Sequence, residues 1–215
     1  MNPLPALSLL ETRVLGVLVE KQHTVPDTYP LTLNALVSGS NQKTSRDPVI
    51  EASEAEVQAA IDHLKTLSMV VESSGGRVMR FAHNVGRVLQ VPPQSVALLA
   101  VLFLRGPQTA GELRINSDRL HKFGDISSVE GFLNELAEKH FVKELHRQPG
   151  ARETRWAHLL SGDVASVAPP PSEAPAGDAV TVSEIAALKA NVDQLQAEVA
   201  SLKETLARVC KELGV

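Results

Sequence analysis

Along the first 90 residues the apolar positions change period twice. Leu10, Val14, Val17 and Leu18 recur in steps of three and four, with Lys21 closing the stripe, which is the spacing of one face of an α-helix. Ser8 and Glu11 stand at its start as an S-x-x-E pair, the signature of a reciprocal helix cap. The spacing predicts a helix from Ser8 to about Lys21. A short helix follows near Thr32–Ser38. A third opens at Ser53, with Glu56 as its box partner and Val57, Ala60, Ile61, Leu64 and Leu67 on one face. Beyond it, Met69–Glu72 and Arg77–Ala82 flank Ser73-Ser74-Gly75-Gly76, which predicts a β-hairpin.

The same order returns after residue 90. Val14–Val19 aligns with Leu98–Phe103 at an offset of 84, and Thr32–Leu36 with Thr109–Leu113 at 77. Ser53–Val70 aligns with Asp125–Val142 at 72, and Phe81-Ala82-His83 with Trp156-Ala157-His158 at 75. Offsets that drift while their order holds are expected of a duplicated unit with loop insertions. The second copy predicts helices near Pro92–Arg105, Thr109–Leu120 and Ser127–His140. Strands Phe141–His146 and Glu153–Leu160 follow, with Pro149-Gly150 in their turn. Three helices and then a hairpin are the order of a winged helix-turn-helix. A three-helix fold without a sheet is the alternative, and the two glycine-bearing turns speak against it. Val96–Leu104 is apolar on every side, so the first helix of the second copy needs covering by the other copy or by a partner subunit.

The C-terminal segment follows a different rule. Residues 169–181 are rich in proline and read as an extended linker. Beyond it, Ile185, Leu188, Val192, Leu195, Val199, Leu202, Leu206, Val209 and Leu213 alternate in steps of three and four, the narrow seam of a coiled coil. β-Branched residues at a and leucine at d favour a parallel dimer. Glu184 and Glu198 at g, with Lys189 and Lys203 at the following e, place opposite signs across it. A helix folded back on the preceding domains is the alternative. A membrane-surface helix fits less well, because the polar face is acidic.

Charge narrows the functional classes. The 215 residues carry 21 Lys or Arg and 25 Asp or Glu, a formal net charge of −4. No region has the positive excess that by itself points to a phosphate backbone. The third helices, which in winged helices usually enter the major groove, are net negative here. Ser53–Leu67 bears Glu54, Glu56 and Asp62 against Lys65, and Ser127–His140 bears Glu130, Glu135 and Glu138 against Lys139. Basic groups lie instead on the hairpins, as Arg77 and Arg80 on the first and Arg147, Arg152 and Arg155 on the second. Wing arginines commonly touch phosphate or enter the minor groove; the alternative is solvated turn residues balanced by Glu144 and Glu153. Lys43 and Arg46, in the loop Asn41–Arg46, form a third basic spot. This loop either contacts an anion or caps the third helix. Val37 and Gln42 stand where a phosphate-binding loop needs glycine, which argues against nucleotide hydrolysis.

Little supports catalysis or a cofactor. The single cysteine, Cys210, rules out a disulfide framework within the chain and a multi-cysteine metal site. The seven histidines are scattered, with no H-x-x-x-H pair. His83 and His158 occupy equivalent positions of the two copies, which suggests a shared packing or hydrogen-bonding role. No nucleophile elbow or glycine-rich dinucleotide turn is found. The N-terminus lacks the basic and apolar regions of a secretory signal. The longest apolar run, Val96–Leu104, has nine residues against the about 20 needed to cross a membrane. A cytoplasmic protein with no membrane partner is expected.

Glu11–Val49 (ETRVLGVLVEKQHTVPDTYPLTLNALVSGSNQKTSRDPV), Leu104–Arg114 (LRGPQTAGELR) and Arg147–Asp163 (RQPGARETRWAHLLSGD) together resemble the signatures of the YceH-like family of uncharacterised bacterial proteins. The likeness spans residues 9–163 and continues in pattern into the heptad tail. It implies a tandem winged-helix fold in the bacterial cytoplasm and no particular activity. Asn41, Gln42, Lys43, Thr44, Arg46, Asp47 and Pro48 are the signature residues it singles out.

The expected protein is therefore α+β: winged helix-turn-helix domains at 1–90 and 91–168, a linker at 169–181, and a coiled-coil dimerisation helix at 182–215. The leading functional expectation is a non-catalytic homodimer, without cofactor or metal, that binds duplex DNA as a transcription regulator would. Its phosphate contacts would come from Lys43, Arg46, Arg77, Arg80, Arg147, Arg152 and Arg155. The rival is an adaptor that docks a protein partner on the same winged helices.

Overall fold

In the computed structural model, which describes residues 5–73, 78–147 and 153–162, the capping boxes expected at Ser8 and Ser53 both close. Ser8 accepts from the Glu11 N–H while the Ser8 N–H donates to the Glu11 carboxylate at 2.6 Å. This opens α1 (Leu9–Thr24), which runs three residues past the expected end. Thr32 caps α2 (Leu33–Ser40), and Ser53 with Glu56 caps α3 (Glu54–Thr66). Strands β2 (Val70–Ser73) and β3 (Arg80–His83) pair antiparallel. A strand the periodicity does not reveal, β1 (Leu31–Thr32), adds to the other side of β3. Two residues are too few to show a period of two, so only their partners define it.

A short helix, α4 (Val85–Leu89), leads to Gln90 in the left-handed region, at φ 52°. There the element order repeats. α5 (Pro93–Arg105) is followed by α6 (Ala110–Asn116), capped by a Thr109–Glu112 box, and by α7 (Ile126–Glu138), capped by Asp125. α6 ends four residues before the expected Leu120. Strands β4 (Val142–Leu145) and β5 (Arg155–His158) form the second hairpin. Gln108 bridges Trp156 through N–H···O bonds of 3.1 and 2.7 Å, much as Leu31 pairs with Phe81 in the first sheet. After α3 and α7 the chain turns through Ser68 and His140, both at positive φ, 57° and 60°. In each case the next N–H returns to the helix, Met69 to Leu64 and Phe141 to Leu136, a Schellman-type stop.

One core runs through both halves. Val96–Leu104 of α5 is buried throughout, and α5 packs along α1, the cover that its all-round apolar surface requires. The approach depends on Gly16. A Cβ there would lie 2.8 Å from Leu104 Cγ and 3.2 Å from Phe103 Cβ, closer than the side chains could sit without moving. The heptad seam from Ile185 to Leu213, with its linker, lies outside the described residues. So do Arg77, Arg152 and both glycine-bearing hairpin turns.

Candidate functional site

The residues expected to contact phosphate divide sharply once placed. Arg46 is enclosed, its side chain having no exposure. Its two terminal nitrogens donate to Glu20 Oε1 and Oε2 at 3.1 and 2.7 Å, and Nε donates to the Gly39 carbonyl at 3.1 Å. Burial alone would raise the Glu20 carboxyl pKa, but the bonds and charge of Arg46 outweigh it and hold the group below the usual range. The expectation of a phosphate contact at Arg46 is thus corrected: its donors are committed within the core. Lys43, three residues earlier, is exposed.

Arg80 and Arg155 occupy equivalent places and do equivalent work. Arg80 Nη1 donates to the carbonyls of Thr28 and Pro30 at 3.0 and 2.7 Å. Arg155 Nη1 donates to that of Pro107 at 3.1 Å, while Nη2 lies 3.6 Å from Glu112. Each arginine ties its hairpin to the residues leading into the second helix of its copy, and both remain exposed. Arg147 is exposed at the end of the second hairpin's first strand.

The loop Asn41–Ala52 is built from the inside. The Asn41 side chain donates to and accepts from the backbone of Ala52, both bonds 2.8 Å, so the loop is closed just ahead of α3. Arg13, fully buried in α1, donates Nη1 to the Ser40 carbonyl at 3.2 Å and Nη2 to that of Pro48 at 2.6 Å. Burial, reinforced by the charge of Arg46, pulls its pKa below the ordinary arginine value. Arg13 is three residues after Leu10 and four before Val17, so spacing sets it at the edge of the apolar stripe, and only its charge speaks for the outside. The signal available was the loop itself, whose carbonyls need an internal donor.

A polar cleft of about 300 Å³ lies where this loop meets the end of α5 and the start of α6. Asp47 N–H donates to Leu104 O at 2.8 Å, and Arg105 Nη2 to Ser45 Oγ at 2.8 Å. Arg46, Arg105 and Arg155 line it together with Asp47 and Glu112.

A larger groove, about 510 Å³, opens between α7, the start of α6 and the second hairpin. Its floor is Ala110, Ile126 and Trp156, and Glu130, Glu144 and Glu153 stand round it with Arg147. The corresponding face of the first copy carries Asp62 and Glu72, with Lys65 paired to both. Sequence reasoning finds the carboxylates of α7 but not that the hairpin brings two more beside them.

The paired histidines behave alike. His83 and His158 are each half-buried, with an enclosed Nδ1 that lacks a partner, and desolvation of the rings pushes both pKa values down to about 4. His83 N–H donates to the Tyr29 hydroxyl at 2.8 Å, and the His158 ring meets Phe103 edge-on at 5.0 Å. Among the described residues no group of three or more His, Cys, Asp or Glu could hold a metal ion. Nor is any described helix long and apolar enough to cross a membrane.

Residues 7–151 match the family model described as "Protein of unknown function, DUF480". The chain belongs to the DUF480 family. Among similar proteins is a UPF0502 protein of Burkholderia pseudomallei (strain K96243), 59% identical over 97% of this chain and 90% of its own length. That of Methylibium petroleiphilum is 60% identical over 99% and 92%, and that of Leptothrix cholodnii 56% over 97% and 96%. The family stands where the YceH-like resemblance pointed. In this DUF480 protein the three stretches carrying that resemblance meet in the polar cleft. Ser45 and Asp47 come from the first, Arg105, Gln108 and Glu112 from the second, and Arg155 from the third.

Proposed function

We propose that this DUF480 protein is a non-catalytic, cytoplasmic tandem winged-helix protein that docks a protein partner and pairs through its heptad tail. Support for the tandem winged helix comes from the repeated order of three helices and hairpin, and from the matching Leu31–Phe81 and Gln108–Trp156 pairings. One observation carries the docking reading: the surface between third helix and hairpin is acidic in both copies, while Arg46 is enclosed and the exposed Arg80 and Arg155 each commit a terminal nitrogen to backbone carbonyls. Carboxylates facing a duplex would repel its phosphates, and they outnumber the positive groups on those faces, Lys65 on the first and Arg147 on the second.

Fluorescence anisotropy with a random duplex at low salt tests this, and no saturable binding is expected. Binding that weakens steeply as salt rises, with a slope flattened by Lys43→Ala or Arg147→Ala, would overturn it. Duplex DNA remains the second reading because Lys43, Arg147, Arg114, Arg119 and Lys122 are exposed, the last three around the turn between α6 and α7. For the tail, deletion of residues 169–215 is expected to convert a dimer to a monomer in sedimentation; a mass that is still twice that of the shortened chain refutes pairing through it.

A further inference from the structure

The two copies provide an internal comparison at the groove beside α7. At the start of the second helix the first copy has Leu33-Asn34 and the second has Ala110-Gly111. Leu33 is half-buried against the core; Ala110, 8% exposed, is buried at the edge of the groove it lines, and Gly111 leaves space. A Cβ at Gly111 would sit 3.9 Å from a Glu153 carboxylate oxygen and 4.0 Å from Ile126 Cδ1, touching nothing closer. At the head of the third helix, Glu54 of the first copy corresponds to Ile126 of the second, which is 46% exposed. The second copy has thus exchanged a filled, polar rim for an open one with an apolar floor. Its volume of about 510 Å³ falls in the range of sites that hold a small ligand or an anchoring side chain.

Charge selects the occupant. Glu130, Glu144 and Glu153 are all exposed, against Arg147 alone among the described lining residues. We propose that this groove binds a short basic segment of a partner protein, which seats one bulky apolar side chain on Ala110, Ile126 and Trp156 and sets lysine or arginine against the three glutamates. The proposal rests on the docking reading above and names where and what it docks. Salt should weaken such binding without abolishing it, because the anchor is apolar while the rim charges are solvent-screened.

Trp156 is the single tryptophan of the chain and lies in the floor, so its emission reports occupancy directly. The full chain is titrated with a blocked hexapeptide, Arg-Lys-Leu-Arg-Phe-Lys, and with the same peptide carrying serine for leucine and phenylalanine. A saturable change in Trp156 emission is expected with the first, weakened about tenfold or more with the second. Ala110→Leu, which restores the side chain of the first copy, should weaken binding similarly, with its fold checked by thermal melting. Ile126→Lys, at an exposed position, should do so through charge and serves if Ala110→Leu perturbs the fold. No emission change, equal binding of both peptides, or binding untouched by both substitutions would overturn the proposal. A partner captured equally by wild type and Ala110→Leu would overturn the groove while leaving docking elsewhere on the chain intact.

Discussion

Removing the Glu20 charge while leaving Arg46 in place should be among the most damaging single changes in the first copy. The Arg46 side chain has no solvent exposure and Glu20 only 15%, and the two meet through paired contacts of 3.1 and 2.7 Å. Glu20→Gln keeps the shape but leaves a guanidinium buried without its counter-charge, a type of change that costs about 3–5 kcal/mol. At about 2–4 °C per kcal/mol for a unit of this size, the melting temperature should fall by about 6–20 °C. The double variant Glu20→Leu/Arg46→Met should recover most of that, since neither charge then needs solvating. Urea unfolding of the four proteins of the cycle measures the coupling. The folded Glu20 carboxyl titrates below its unfolded value, so its contribution is present above the unfolded pKa and is lost as pH falls through the folded one. Glu20→Gln should therefore flatten the acid limb of the stability curve. A loss below about 1 kcal/mol would place the pair with solvated surface pairs and refute Arg46 as a core residue, returning it to the phosphate-binding candidates.

Other substitutions probe neighbouring links. Gly16→Ala puts a methyl 2.8 Å from Leu104 Cγ and should cost about 1–3 kcal/mol by thermal melting, partly relieved by adding Leu104→Ala; no cost would mean that α1 and α5 are not in close contact. His83 and His158, with folded pKa values near 4, bind protons more weakly folded than unfolded. Stability should be full above the unfolded histidine pKa of about 6.5 and fall between there and 4, by up to about 1.4 kcal/mol per pH unit for each. His158→Phe should remove one of the two contributions, and an unchanged slope in melts between pH 7.5 and 5 would contradict their burial. Ser68→Gly should stabilise by about 0.5–1 kcal/mol, because Ser68 sits at φ 57° where glycine is not strained.

Features set by local chemistry are legible in the amino-acid sequence. The caps at Ser8, Ser53 and Thr109, the helical stripes and the hairpins follow from spacing and side-chain hydrogen bonding within a few residues. The covering of Val96–Leu104 is legible too, since a helix apolar all round has no stable place at a surface. Sequence fails where a residue's role depends on distant partners. Arg46 reads as an exposed cation until Glu20, 26 residues earlier, is seen beside it. Arg80 and Arg155 read as wing tips until the carbonyls of Pro30 and Pro107 are placed under them. The groove is invisible for the same reason, because its carboxylates come from a helix and a hairpin that only the fold brings together.

The repeated order of elements sorts these residues further. Where both copies keep the same device, the fold itself explains it: the arginine tie of Arg80 and Arg155, the half-buried histidines 83 and 158, the left-handed stops at Ser68 and His140. Where one copy alone carries a feature, shared architecture no longer accounts for it. The Arg13–Glu20–Arg46 set belongs to the first copy only, with Ala97 and Leu104 at the two aligned helix positions, and it is explained by the longer loop between α2 and α3 that it braces. The opening at Ala110-Gly111 has no such structural task. A Cβ at Gly111 would meet nothing closer than 3.9 Å, and the first copy carries leucine at the position aligned with Ala110. An uncompensated opening floored by Trp156 and ringed by carboxylates forgoes apolar burial that leucine would have supplied, about 25 cal/mol for each Å². That loss has a physical reason only if something else fills the space, which is why Ala110→Leu separates a groove that works from one that is merely unfilled.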